Sequence, residues 1–136
     1  MPSMQNPLAL DVLFRALADS TRLRLLNLMG DREVCVCYFV SILGISQPKI
    51  SRHLSYLRNA GIVAARRQGR WMHYRVVTPQ DVTAAAILKE TLAHLRQKPE
   101  MKADLEKMAS ACCQPVEFAL PKQAPQPSRV SLDTPE

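Results

Sequence analysis

The chain of 136 residues contains no hydrophobic run approaching the roughly 20 apolar residues that span a bilayer. Its first seven residues also lack the basic start and the apolar stretch of a secretory signal. These absences predict a cytoplasmic protein with no membrane partner. Cysteine is scarce, and in a reducing compartment the four that are present are not expected to form structural disulfides.

Acidic residues are absent from one long segment, which extends from Ser46 to Thr78. This segment contains seven lysines or arginines, whereas the rest of the chain carries 11 basic and 12 acidic side chains. The whole excess of positive charge, +6 for the chain, therefore lies within it. A concentrated basic surface of this kind is typical of proteins that bind the phosphates of double-stranded DNA.

The spacing of apolar residues predicts a mostly α-helical protein with one β-hairpin. Helices are expected over residues 7–18, 21–29, 35–43 and 47–59, followed by a long helix that begins near Pro79. The hairpin is expected from alternating residues in two strands, 62–67 and 70–77, with Gln68 and Gly69 at the turn. Two short helices joined at Gly44 and followed by a hairpin indicate a winged helix-turn-helix.

Three regions are predicted from this pattern. Residues 7–98 form the winged helix-turn-helix domain, and residues 99–113 form a short C-terminal helical extension that ends in Cys112 and Cys113. Residues 114–136 contain five prolines and little periodicity. They are expected to be a mostly disordered tail.

The helix predicted over residues 47–59 has one apolar and one polar side. Ile50, Leu54 and Leu57 share the apolar side and are expected to pack on the preceding helix. The opposite side carries side chains that suit base edges and phosphates in the major groove, namely Lys49, Ser51, Arg52 and Ser55, and Gln47 lies at the exposed N-terminus of the helix. This is the predicted recognition helix.

The predicted hairpin brings Arg66, Arg67 and Arg70 to its tip, where they can reach the minor groove or flanking phosphates. The alternative is that they are ordinary solvated charges. That alternative explains neither the missing acidic residues nor the clustering at a loop tip. His73, on the second strand, is expected to make a structural hydrogen bond.

Several segments resemble the ArsR/SmtB family of metal-responsive winged-helix repressors. The resemblance covers residues 12–78, and the matching segments read LADSTRLRLL (17–26), EVCVC (33–37), SQPKISRHL (46–54), LRNAGI (57–62) and RQGRWMHYR (67–75). The segment 46–54 is specific for the arsenic-sensing branch. The resemblance implies a homodimer, built from the first and last helices, that represses a resistance operon and releases operator DNA when its ligand binds.

In the arsenic-sensing branch, a Cys-Val-Cys at the start of the third helix and a third cysteine three residues later bind trivalent arsenic or antimony. Cys35 and Cys37 match the first two positions, but Val40 stands at the third. On an ideal helix, residues two positions apart point to different sides, so both sulfurs can hold one atom only if the helix start is unwound. The alternative is that both are small buried core residues.

Cys112 and Cys113 lie outside the matching segments. Adjacent cysteines can hold a ligand that takes two sulfurs, and some relatives place such a pair near the C-terminal helix. One of the two can instead complete a three-sulfur site with Cys35 and Cys37, or the pair is incidental. The predicted ligands are therefore Cys35, Cys37, Cys112 and Cys113, with arsenite, antimonite or methylarsenite as inducer and no permanently bound cofactor.

Other functions can use the same thiols. A redox-responsive regulator would oxidise the cysteine pairs instead of binding a metalloid. A thiol-dependent reductase is disfavoured because the sequence has no oxyanion-cradling loop and no Cys-x-x-Cys motif. A metalloid scavenger has no need of the basic segment. The sequence therefore predicts a DNA-binding repressor and not an enzyme.

Overall fold

The structure, a computed structural model, describes residues 10–113 and 115–130. Within them lie six helices: α1 (Leu10–Leu17), α2 (Ser20–Met29), α3 (Val36–Leu43), α4 (Gln47–Asn59), α5 (Val82–Leu95) and α6 (Pro99–Cys113). The strands are β1 (Arg32–Cys35), β2 (Val63–Gln68), β3 (Trp71–Val76) and β4 (Ser128–Arg129). No helix within these ranges has the length and hydrophobicity needed to cross a membrane. The predicted first-helix residues 7–9 lie outside the described residues.

Helices α3 and α4 form the predicted helix-turn-helix. Gly44 ends α3 with a φ of 66°, a left-handed conformation that favours glycine, and its N–H donates to the carbonyl of Val40 at 3.0 Å. Ser46 then precedes α4, whose bounds agree with the prediction. Ile50, Leu54 and Leu57 are fully buried in the core cluster that includes residues of α3, so the apolar side of α4 anchors the recognition helix.

Strands β2 and β3 form the predicted wing. Their antiparallel register runs from Val63↔Val76 to Gln68↔Trp71, which leaves Gly69 and Arg70 as a two-residue turn. The turn was predicted one residue earlier. Gly69 has a φ of 60°, the left-handed conformation that a tight hairpin of this length requires.

The sequence did not predict strand β1. Val34 pairs with Tyr74 and Cys35 with His73, so β1 extends the wing into a sheet of order β2-β3-β1-β4. The predicted third helix began at Cys35, but α3 begins one residue later, at Val36. A strand of four residues that is buried along most of its length has no clear alternation of apolar and polar residues, and periodicity cannot separate it from a helix start.

Helix α6 is part of the core and is not merely an extension. Met101, Met108 and Ala111 are buried in the main apolar cluster, where α6 packs on α2 and α3. The Arg24 guanidinium donates two hydrogen bonds, of 2.8 and 2.9 Å, to the buried carboxylate of Asp104. Helix α6 therefore contributes to the same core as the helices before it.

Residues 115–130 run over the domain and contact it at several points. The Ser41 hydroxyl donates to the Phe118 carbonyl, and β4 pairs with β1 through Arg32↔Arg129. Phe118 and Leu120 are partly buried against the core, so a few apolar side chains hold this segment to the domain. Residues 114 and 131–136 lie outside the described residues.

Helices α1 and α5 leave apolar side chains exposed. Val82, the first residue of α5, is 83% exposed, because α5 packs through Ala84, Leu88, Leu92 and Leu95. Phe14 of α1 is 52% exposed. These apolar surfaces are available for contact with another molecule.

We predict that Asp104→Asn lowers the free energy of unfolding by about 1.5–3 kcal/mol, because a carboxylate that accepts two hydrogen bonds from Arg24 is lost. Urea denaturation measures this change. The control is Asp11→Asn, which breaks the exposed ion pair with Arg15 and is expected to cost less than about 1 kcal/mol. Equal effects of the two substitutions would contradict the role given to α6.

Candidate nucleic-acid interface and thiol site

The polar side of α4 is open to solvent. Gln47, Lys49, Arg52 and Ser55 are exposed, and Ser51 is half-buried. Tyr56, at the edge of this surface, lies under the Arg22 guanidinium, which is 4.1 Å from the ring centroid. The structure therefore leaves all five predicted α4 residues wholly or partly accessible, with Gln47 at the N-terminus of the helix.

All three predicted wing arginines are exposed, and two of them, Arg67 and Arg70, lie at the tip. Arg67 Nε donates to the Gly69 carbonyl at 3.2 Å. The Arg70 guanidinium lies over the Trp71 ring, 4.5 Å from its centroid, and also donates to the Lys122 carbonyl at 3.4 Å. Both cations are thus held close to the turn, where a DNA backbone could approach them.

Arg66 occupies a different environment, because Glu33 of β1 binds it. Its Nη2 donates to Glu33 Oε1 at 2.6 Å, and its Nε lies 3.1 Å from Oε2. The hydrogen bonds from Arg66 lower the pKa of the Glu33 carboxyl, so the ion pair persists at neutral pH. Sequence reasoning missed this pair because Glu33 lies outside the acid-free segment and reaches the wing only through strand β1.

His73 lies between the thiol-bearing strand and β2. It pairs with Cys35 on one side and Arg66 on the other, and antiparallel partners direct their side chains to the same face of a sheet. The imidazole is 4% exposed, and its Nε2 has no hydrogen-bond partner among the described residues, so this atom does not make the predicted hydrogen bond. Burial, followed by the nearby charge of Arg66, lowers the pKa of His73.

Cys35 and Cys37 converge where β1 ends and α3 begins. Cys35 has extended backbone angles (φ −70°, ψ 142°) and Cys37 lies in the first turn of α3. The Cys37 thiol donates to the Cys35 sulfur at a distance of 3.2 Å. The opposed directions expected of residues two apart on a helix do not arise, because only one of the two cysteines is helical.

This contact separates the acidities of the two thiols. The hydrogen bond from Cys37 stabilises the Cys35 thiolate and lowers the pKa of Cys35 to about 7, although burial opposes the shift. The same contact, together with burial, raises the pKa of Cys37. Since the thiolate is the nucleophile and the metal ligand, the pair includes one thiol that is activated at neutral pH.

Cys112 and Cys113 differ in their surroundings. Cys112 is half-buried beside the Tyr38 hydroxyl, whereas Cys113 is exposed. The pKa of Tyr38 is raised first by burial and then by Cys112, with smaller contributions from Cys37 and Cys35. In residues 10–113 and 115–130, no three Cys, His, Asp or Glu side chains already lie close enough to hold one metal ion.

A helix-turn-helix followed by a basic antiparallel wing defines a winged-helix DNA-binding protein. The sequence profile described as "Bacterial regulatory protein, arsR family" matches residues 19–65. The arsenical resistance operon repressor of Escherichia coli K12 is 47% identical over 79 residues, which are 57% of this chain and 68% of that protein. The chain belongs to the arsR family of bacterial regulatory proteins, as the resemblance predicted.

A second relative, the arsenic resistance transcriptional regulator ArsR1 of Pseudomonas putida, is 47% identical over 84 residues, 60% of this chain and 66% of that protein. The chain thus spans about two thirds of the length of these two curated relatives. Both are named as repressors or regulators, which confirms at the level of the family that the chain is a regulator and not an enzyme.

Solved structures of regulators share the fold. HlyU from Vibrio cholerae has a TM-score of 0.56 at 28% identity, covering 65% of this chain and 92% of that chain. The antimony-specific repressor AntR has a TM-score of 0.51 at 30% identity, covering 71% and 93%. The homodimeric winged helix-turn-helix domain Mb0332 from Mycobacterium bovis has a TM-score of 0.52 at 26% identity, covering 66% and 84%. The winged-helix prediction is confirmed.

We predict that, in a Cys112→Ser/Cys113→Ser background, the ultraviolet absorbance of thiolate rises with a midpoint near pH 7, as the lowered pKa of Cys35 requires. Adding Cys37→Ala removes the hydrogen bond that favours the thiolate, so the midpoint should move up toward the ordinary thiol value of about 8.5. The same midpoint in both proteins would show that the contact between the sulfurs does not activate Cys35.

Proposed function

We propose that this chain is a homodimeric repressor of a metalloid-resistance operon, released from its operator when trivalent arsenic or antimony binds cysteine thiolates. The observation that carries this proposal is the convergence of the Cys35 and Cys37 sulfurs, 3.2 Å apart, at the start of the helix that supports the recognition helix. The names of the two curated relatives and of AntR favour the same class of inducer.

The proposed DNA contacts fall into two groups. Gln47, Ser51 and Arg52, near the N-terminus of α4, suit the major groove, where arginine and glutamine can bond bidentately to base edges. Lys49 and Ser55 suit bases or flanking phosphates on the same side. Arg67 and Arg70 at the wing tip suit phosphates or the minor groove. Arg66 contributes less positive charge to the proposed DNA-binding surface than predicted, because its ion pair with Glu33 neutralises it.

The proposed homodimer uses the exposed apolar surfaces of α1 and α5. Phe14 and Val82 are the kind of side chains that a subunit interface would bury. A two-fold dimer places two recognition helices on half-sites about one helical turn of DNA apart. Mb0332, which shares the fold, is homodimeric.

Thiophilic ligands suit the cysteine pair. Thiolate bonds of about 2.3 Å, as in zinc–thiolate sites, let one atom bridge sulfurs roughly 3–4 Å apart. Cys35 lies in β1 and Cys37 in α3, so a bridging ligand ties the sheet to the first turn of α3. Because α3 packs on α4, and His73 connects Cys35 to Arg66, the ligand can bias both DNA-reading elements. Ligand and operator then favour different arrangements of one domain.

A redox-responsive regulator is a second candidate, because the same 3.2 Å separation suits oxidation of Cys35 and Cys37. In that reaction peroxide accepts two electrons from the two thiols, which become a disulfide while two waters form. Adding peroxide and arsenite separately to the operator-bound protein distinguishes the two functions. Release by peroxide alone would favour the redox regulator.

We predict that Arg52→Ala weakens operator binding by about 1–3 kcal/mol and relaxes the base preference at one position of the site. Fluorescence anisotropy on operator and random duplexes measures both effects. The matched control is Lys107→Ala, which removes an exposed cation from α6 and should leave operator affinity nearly unchanged. Equal losses for both variants would indicate a general charge effect and contradict the assignment of α4.

We predict that Cys35→Ser/Cys37→Ser still binds the operator but no longer releases it with arsenite or antimonite, because the pair that captures the ligand is missing. The measurement is an operator-release titration on the purified dimer, with circular dichroism as the check on folding. If the double variant is released from the operator as readily as the wild type, the thiol-sensor proposal is refuted. Loss of operator binding in Arg52→Ala alone does not test that proposal.

A further inference from the structure

We infer that Cys112 of α6 is the third ligand of the metalloid site, which binds inorganic arsenite or antimonite through Cys35, Cys37 and Cys112 of one protomer. This inference rests on the proposed function of the Cys35/Cys37 pair and adds the residue that completes it. It leaves the neighbouring Cys113 outside the site.

The docking of α6 distinguishes Cys112 from Cys113. Met108 and Ala111 are buried against the main core, and Cys112 packs against the same cluster, whereas Cys113 is exposed. Helix α6 packs on α3, the helix that begins at the thiol pair. Docking therefore directs one of the two adjacent cysteines inward and the other to solvent.

The side chain of Tyr38 joins α3 to Cys112. Tyr38 directly follows Cys37, is only 2% exposed, and has its hydroxyl beside the Cys112 thiol. Cys112 therefore contacts a buried side chain of α3 that is the next residue after the thiol pair.

The site closes only when the ligand binds. No three Cys, His, Asp or Glu side chains in the described parts of the chain yet lie within reach of one ion. Val40, half-buried on α3, offers no ligand atom, so the third sulfur must come from another element. Cys112 lies in the last turn of α6, and the proposed site requires its sulfur to move toward the pair when the ligand binds.

The chemistry explains why a third thiol matters. Arsenite carries three hydroxyl groups, and each thiol that forms an As–S bond gives its proton to a departing hydroxide, which leaves as water. Three thiols release three waters, and arsenic stays trivalent throughout. Methylarsenite has only two such hydroxyls, so Cys35 and Cys37 suffice for it.

The experiment compares Cys112→Ser with its matched neighbour Cys113→Ser in the full-length dimer. Loss of even an outer-shell partner costs a metal site about tenfold or more in affinity, so Cys112→Ser should raise the arsenite concentration for half-release by at least that factor. Its response to methylarsenite should persist, and Cys113→Ser should match the wild type with both ligands. Native mass spectrometry should show the wild-type arsenite complex one water lighter than a two-thiol adduct.

Equal arsenite responses of the Cys112→Ser and Cys113→Ser proteins, or a wild-type complex with only two As–S bonds, would overturn the assignment of Cys112. The proposed function would still stand if methylarsenite released both variants. Failure of the wild type to respond to either arsenical would instead overturn the proposed function itself. Operator binding without ligand checks that both variants are folded.

Discussion

The change of backbone conformation at Cys35 is the constraint on which the thiol site depends. Cys35 is the last residue of β1, held in register opposite His73, and α3 begins at the next residue. A helix spanning both cysteines would direct their sulfurs apart, whereas a strand end followed by a helical turn brings them together. The bent junction therefore explains why the sulfurs of two residues separated by one valine are in contact while α3 stays folded.

The same junction links the thiols to both DNA-reading elements by different physical means. Buried Ile50 and Leu54 tie α4 to the core that includes α3, and this apolar packing transmits small shifts because cores are densely filled. On the other side, Cys35, His73 and Arg66 occupy neighbouring positions on three strands. The Glu33 carboxylate of β1 also forms an ion pair with Arg66 of β2, so a displacement of β1 also affects the wing.

Local patterns in the sequence were sufficient for the recognition helix and the wing. The glycine at position 44 and the spacing of Ile50, Leu54 and Leu57 located α4 correctly, because these signals act within one helix and its turn. Strand β1 escaped prediction because its pairing with β3 joins residues far apart in the chain. For the same reason the capture of Arg66 by Glu33, and the approach of Cys112 to Tyr38, could not be predicted from spacing.

The short strand β4 also has a consequence for solubility. Without it, β1 would present unpaired N–H and C=O groups at the border of the sheet, a template on which strands of other molecules can add. β4 covers that border with only two residues, and Pro127, directly before it, cannot donate a ladder hydrogen bond. The strand at this edge of the sheet is therefore one to which strands of other molecules add poorly. In this way β4 protects the domain against edge-to-edge aggregation.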